Sequence, residues 1–188
     1  MKPDDYQKAK AIFMKHKCNY FFIAREEDGV YDEYTAYNVP KDIEDRWVEE
    51  YRDGLFGQLV VEKNQHKIAG LFYNICNTIG IYCPTPRPLE LLTEFLMKSK
   101  PLLDSFTLIL LSESLLRGVK SYRKNASLDK TAGDRAKEAA LGTLCELLES
   151  PLTVSEDHDY MRKTYDFSEE NMRDRISLDI LHWEDSQW

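Results

Sequence analysis

Residues 25–47 read REEDGVYDEYTAYNVPKDIEDRW, and Tyr31, Tyr34 and Tyr37 recur in it at intervals of three among carboxylates. That spacing decides between two folds. Residues three apart share a face of a helix but point to opposite faces of a strand. The preceding CNYFFIARE (18–26) is rich in β-formers, and Asp28-Gly29 is a hairpin-turn dipeptide, so a hairpin is the competing reading. A second strand needs period two, which the tyrosines lack. The spacing therefore predicts a short helix over 30–37 with Asp28 as its N-cap. At most one short strand or hairpin remains, near residues 18–26.

Working outward, helix signals dominate. Pro3, Asp4 and Asp5 open a first helix and Lys15 and Lys17 close it, in keeping with the helix dipole. Pro40 opens a second and Gly54 closes it, with Ile43, Trp47 and Tyr51 marking its inward side. A helix or helix pair over 55–82 follows, then the rigid break CPTPRP (83–88). Leu89, Leu92 and Leu96 stripe the next helix. From 102 to 124 apolar residues widen until the helix is buried almost all round. KNASLDK (124–130) links it to a helix over 132–149, and the two read as an antiparallel hairpin. Ser168 caps a last helix striped by Met172, Ile176, Ile180 and Trp183. The chain of 188 residues holds only 8 Gly and 7 Pro, too few for a many-turned β design. The expectation is an all-α, irregular multi-helix bundle, with α-solenoid-like helix pairs as a variant. It forms one domain, whose acidic section 150–188 docks by its last helix.

Charge is segregated. The net charge of −8 divides into +4 over residues 1–25, −8 over 26–53, +4 over 54–145 and −8 over 146–188. Two acidic blocks disfavour nucleic acid and anionic membranes as partners and favour a basic protein. The uncharged run 68–86 is interrupted by Asn, Thr and Gly and falls short of the ~20 apolar residues of a membrane span. The N-terminus lacks the apolar stretch of a signal peptide. Four cysteines, at 18, 76, 83 and 145, form no CxxC pair, which predicts a cytoplasmic protein with reduced thiols. Cys18, Cys76 and Cys145 sit in apolar company. Without a secretion signal, the Asn125-Ala126-Ser127 glycosylation pattern is idle.

Motifs for chemistry fail one by one. With Gly29 as the sixth position of a calcium loop, Glu26-Glu27-Asp28 would put Ala24 first and Thr35 twelfth, and neither can ligate. Glu-x-x-His does not occur, and the histidines (16, 66, 158, 182) are scattered. His158, between two aspartates, reads as a solvated loop residue. No nucleophile elbow or phosphate loop is present. No cofactor or metal is expected.

What remains is a surface: Tyr31, Tyr34 and Tyr37 among charges, and a face of Asp42, Asp45, Glu49 and Asp53 opposite the inward stripe of their helix. Exposed tyrosine beside charge is the composition of binding hot spots. The expected function is an acidic binder of a basic protein, of inhibitor, immunity or regulatory type. The alternatives are an enzyme or small-ligand protein with an inter-helix pocket using Cys83, Cys18, His158 or the 26–33 carboxylates, and a homo-oligomer subunit.

Overall fold

A computed structural model describes residues 3–26, 28–124 and 130–184, and among them every regular element is helical. Glu27 of the rejected calcium loop, the Asn125–Ser127 pattern and residues 185–188 of the acidic tail lie outside the described residues. The helices are α1 (Pro3–Lys15), α2 (Tyr20–Ile23), α3 (Val30–Ala36), α4 (Lys41–Leu59), α5 (Gln65–Ile81), α6 (Arg87–Ser99), α7 (Ser105–Arg123), α8 (Lys130–Leu148) and α9 (Glu169–Glu184). A 3-10 turn, Lys100–Leu102, joins α6 to α7, and a 3-10 segment, Glu156–Lys163, precedes α9.

The β-rich stretch 18–26 forms no strand. Lys17 and Cys18 both take left-handed backbone angles, φ 57° and 56°, and turn the chain back on α1. Asn19 then caps the single turn α2, its side chain accepting from the Phe21 N–H at 2.9 Å. A strand needs a partner edge, and among the described residues no segment offers one; the cap decides the conformation. In α3 the N-cap is Gly29 at φ 93°, not Asp28.

Gly54 does not end α4, which continues to Leu59. Tyr51, Leu55 and Leu59 extend the inward stripe, and burial of the two leucines outweighs a glycine's poor helix propensity. A β-carbon at Gly54 would meet open space. Gly54→Ala is therefore expected to raise stability by about 0.5–1 kcal/mol, measurable by urea unfolding.

Two apolar clusters result. The smaller joins Ala9 and Phe13 of α1, Cys18, Ile23, Tyr34, and Trp47 and Val48 of α4. Its rings interlock: Phe13 stacks on Tyr34 at 5.5 Å, and the Trp47 indole N–H donates to the Tyr6 hydroxyl at 2.9 Å. The larger runs from the end of α4 to α9 around α7, whose neighbours α5, α6 and α8 bury it on nearly all sides. The α7–α8 hairpin is antiparallel: Arg123 pairs with Asp134 at one end, and Ser105 bonds Thr153 beyond α8 at the other. Met172, Ile176 and Trp183 of α9 are buried in the same cluster, so the stripe expected on the last helix docks within the chain. Tyr51 borders both clusters. No helix among the described residues is long and apolar enough to cross a membrane.

Polar ties fix the joints. Arg52 is 3% exposed, and its guanidinium donates to Thr78 Oγ1 at 2.8 Å and to the Tyr82 carbonyl, a cation placed on the C-terminal carbonyls of α5. Asp104 caps α7 by accepting from the Thr107 N–H at 2.7 Å, and it also holds the Ser155 N–H at 3.0 Å. Thr107 Oγ1 meets Nε2 of His158 at 2.8 Å. His158, expected in solvent, is 0% exposed: the 3-10 segment folds it against Phe106 and His66.

Candidate functional site

The surface selected from the sequence divides in two. Tyr34 is 1% exposed and belongs to the core, so it meets no partner. Three-residue spacing does put the tyrosines on related sides of α3, but a seven-residue helix lying on α1 buries the middle one. Tyr37 is half-buried, its hydroxyl donating to Glu33 Oε1 at 2.9 Å. Tyr31 is exposed at 43%, and it sits edge-on to Tyr20, also 43% exposed, with ring centroids 6.5 Å apart. Phe21, the next residue in α2, is 53% exposed with the Arg25 guanidinium 4.0 Å from its ring. An aromatic corner of Tyr20, Phe21 and Tyr31 thus stands at the α2–α3 edge, flanked by exposed Asp28 and Asp32.

Beneath the corner lies Glu44. It occupies the inward side of α4, one turn before Trp47 and Val48, and is 3% exposed. Its Oε1 accepts from the Tyr20 hydroxyl at 2.5 Å and from the Tyr34 hydroxyl at 2.6 Å. Burial and the neighbouring carboxylate push the Tyr20 phenol up to about 12 and the Tyr34 phenol higher, so both stay protonated donors at neutral pH.

The acidic stripe of α4 runs on the other side of that helix. Asp42 is exposed and pairs with Arg46 at 3.0 Å; Asp45 is half-buried and pairs with Lys41. Glu49 is half-buried and Asp53 exposed, and neither has an ion-pair partner among the described residues. The fold does not merge stripe and corner into one patch, because a 3.6-residue turn sets positions 42, 45, 49 and 53 roughly opposite Glu44.

A second polar site lies between α7 and α9. A cleft of about 620 Å³ is lined by Glu113, Arg117, Tyr165, Asn171, Arg175 and Asp179, among others. Arg175 grips both oxygens of Glu113, with Nη2 at 2.7 Å from Oε2. Glu113 is 8% exposed. Asp179 meets Glu113 carboxyl to carboxyl, and burial with that neighbour pushes it up to about 7. Its Oδ2 is sealed from solvent without a hydrogen-bond partner, and the Glu113–Arg175 pair ties α7 to α9.

Other groups offered for catalysis are not brought together. Cys18 and Cys83 are buried, and burial pushes both thiols up, Cys18 to about 12. Cys145, expected in apolar company, is exposed. Glu26 is tied to Lys15 and His16, each at 2.9 Å. Among the described residues no group of three His, Cys, Asp or Glu side chains could hold a metal ion. Sequence reasoning passed over Glu44, Glu113 and Asp179. The signal was present: each interrupts an apolar helical stripe, where an acid without a buried partner would be expelled. Compared with models of protein families, with curated proteins and with solved structures, the chain matches none of them.

Proposed function

We propose that this all-α protein is an acidic binding module that acts on a basic protein, as an inhibitor or regulator, through its α2–α3 corner. The observation that carries this reading is the exposed aromatic trio, Tyr20, Phe21 and Tyr31, set beside Asp28 and Asp32. Clustered exposed aromatics are unusual on a small monomeric surface and are the residues that anchor interfaces. The Asp42/Asp45/Glu49/Asp53 stripe serves a different step. It lies off the corner and half of it is locally neutralised, so it steers a positive partner at long range more than it contacts one.

The two roles separate in kinetics. With the immobilised protein as bait, a captured basic partner is expected to elute between low and moderate salt. Against that partner, Phe21→Ala with Tyr31→Ala should speed dissociation about tenfold or more, the loss of about 2 kcal/mol typical of an anchor. Asp42, Asp45 and Glu49 changed to Lys should slow association several-fold and leave dissociation nearly unchanged. Salt-independent retention, or retention unaffected by the aromatic changes, would defeat the proposal.

A further inference from the structure

Glu44 is an anomaly. A carboxylate that is 3% exposed normally has a cation or several donors on both oxygens, because leaving water costs a charge several kcal/mol. No Lys, Arg or His nitrogen lies within 4.0 Å of it among the described residues. Two cations close to it in sequence on the same helix are engaged elsewhere: Lys41 pairs with Asp45 and lies over the Tyr82 ring at 5.6 Å, and Arg46 pairs with Asp42. Both phenols, moreover, donate to the same oxygen, Oε1. Among the described residues nothing donates to Oε2, and yet Oε2 is not one of the sealed, partnerless atoms that Asn74, Ser112, His158, Tyr165 and Asp179 carry. Among the described residues the second oxygen therefore keeps a small opening, within the 3% of Glu44 that solvent reaches. The rings around Glu44 are Tyr34, which is buried, and Tyr20, which is exposed and carries Tyr31 on its edge.

From this geometry we infer that Glu44 Oε2, with the exposed rings of Tyr20 and Tyr31, forms a receptor for one guanidinium or ammonium group, supplied by an arginine or lysine side chain of the basic partner. The inference rests on the binding role proposed above and supplies its specificity element. Each part matches the ligand. An aromatic face attracts a cation by its quadrupole, and the flat guanidinium stacks on a ring while its N–H groups reach a carboxylate. The Oε1 donors hold the carboxylate fixed before binding, so little ordering is needed when the cation arrives. Arg25 over Phe21, 4.0 Å away on the same corner, shows a guanidinium lying on an aromatic face in this chain. Exposed Asp28 and Asp32 offset the charge of Arg25 on the approach.

The test needs no partner. Blocked tripeptides carrying arginine, lysine or the uncharged isostere citrulline are titrated into the full chain and followed by the NMR signals of Glu44, Tyr20 and Tyr31. The arginine peptide is expected to give saturable millimolar shifts, with citrulline about tenfold weaker. Glu44→Gln should abolish the difference between the two. Should Glu44→Gln fail to fold, Tyr31→Ala changes only an exposed ring and should weaken arginine binding about three-fold or more. Equal shifts for arginine and citrulline, or arginine binding unchanged in both variants, would overturn the inference. Peptide failure with partner capture still salt-sensitive and Tyr31-dependent would fault the receptor alone. Peptide success without any salt-eluted partner would fault the binding role alone.

Discussion

Arg175→Ala is expected to cost about 3–5 kcal/mol of folding stability. The reason lies in what it leaves behind. Glu113 sits 8% exposed on α7, with both oxygens taken by the Arg175 guanidinium. On its other side it meets Asp179. Without the guanidinium, a buried carboxylate faces a second carboxyl, and among the described residues the cation left acting on that carboxyl is Arg117 on the exposed side of α7. The Arg175 ring contacts would go too, since the guanidinium also lies 5.4 Å from the Tyr165 ring and 5.8 Å from that of Phe106. Because the penalty is one of unpaired charge, Glu113→Gln in the same chain should restore about half of the loss, a coupling that separate sites would not show. Urea unfolding at pH 7 of the wild type, the two single variants and the double variant measures it. If the losses simply add, the pair is not the tie described here.

How far the sequence went is clear from particular helices. Stripes on α6, α7 and α9 were legible because each buries a regular set of leucines, isoleucines and aromatics against the centre, and period 3.6 survives in the letters. Trp47, in phase with Ile43 and Tyr51, is core as its spacing says. The failures share one cause: contacts between segments distant in sequence. Gly54 looked like a stop because α4's later burial partners are not local. Tyr34 looked like its neighbours because only α1 lying across α3 sets it apart. His158 looked solvated between two aspartates; Thr107, Phe106 and His66, from two other helices, enclose it. At the candidate site, the spacing of the tyrosines predicted the helix that carries Tyr31 and left out Tyr20 and Phe21, which composition had assigned to a strand.

His158 and Asp179 then make a joint prediction about pH. His158 is fully buried and Nδ1 has no partner, so a proton there would create an unpaired buried donor; burial holds the imidazole below its ordinary 6.5, against the pull of Asp104 and Asp157 and with the push of His66. The unfolded chain therefore binds the proton more readily, and stability from this group is full above 6.5 and lost as pH falls toward the folded value. Asp179 behaves oppositely. Its folded value of about 7 exceeds the ordinary 3.8, so its contribution is full below 3.8 and lost as pH rises through about 7. Below pH 6.5 the two slopes oppose each other, so the wild type should vary less with pH there than either single variant. Asp179→Asn removes one arm and should leave a protein that loses stability on acidification below 6.5, by at most ~1.4 kcal/mol per pH unit for the single proton. His158→Gln removes the other, and stability should rise by a similar amount over the same interval. At pH 8, where the Asp179 penalty is complete, Asp179→Asn should be more stable than the wild type by about 2 kcal/mol. Urea midpoints at five pH values read all three slopes. Parallel curves for the three proteins would mean that neither group is held as its surroundings require, because a change in packing alone shifts a curve without tilting it.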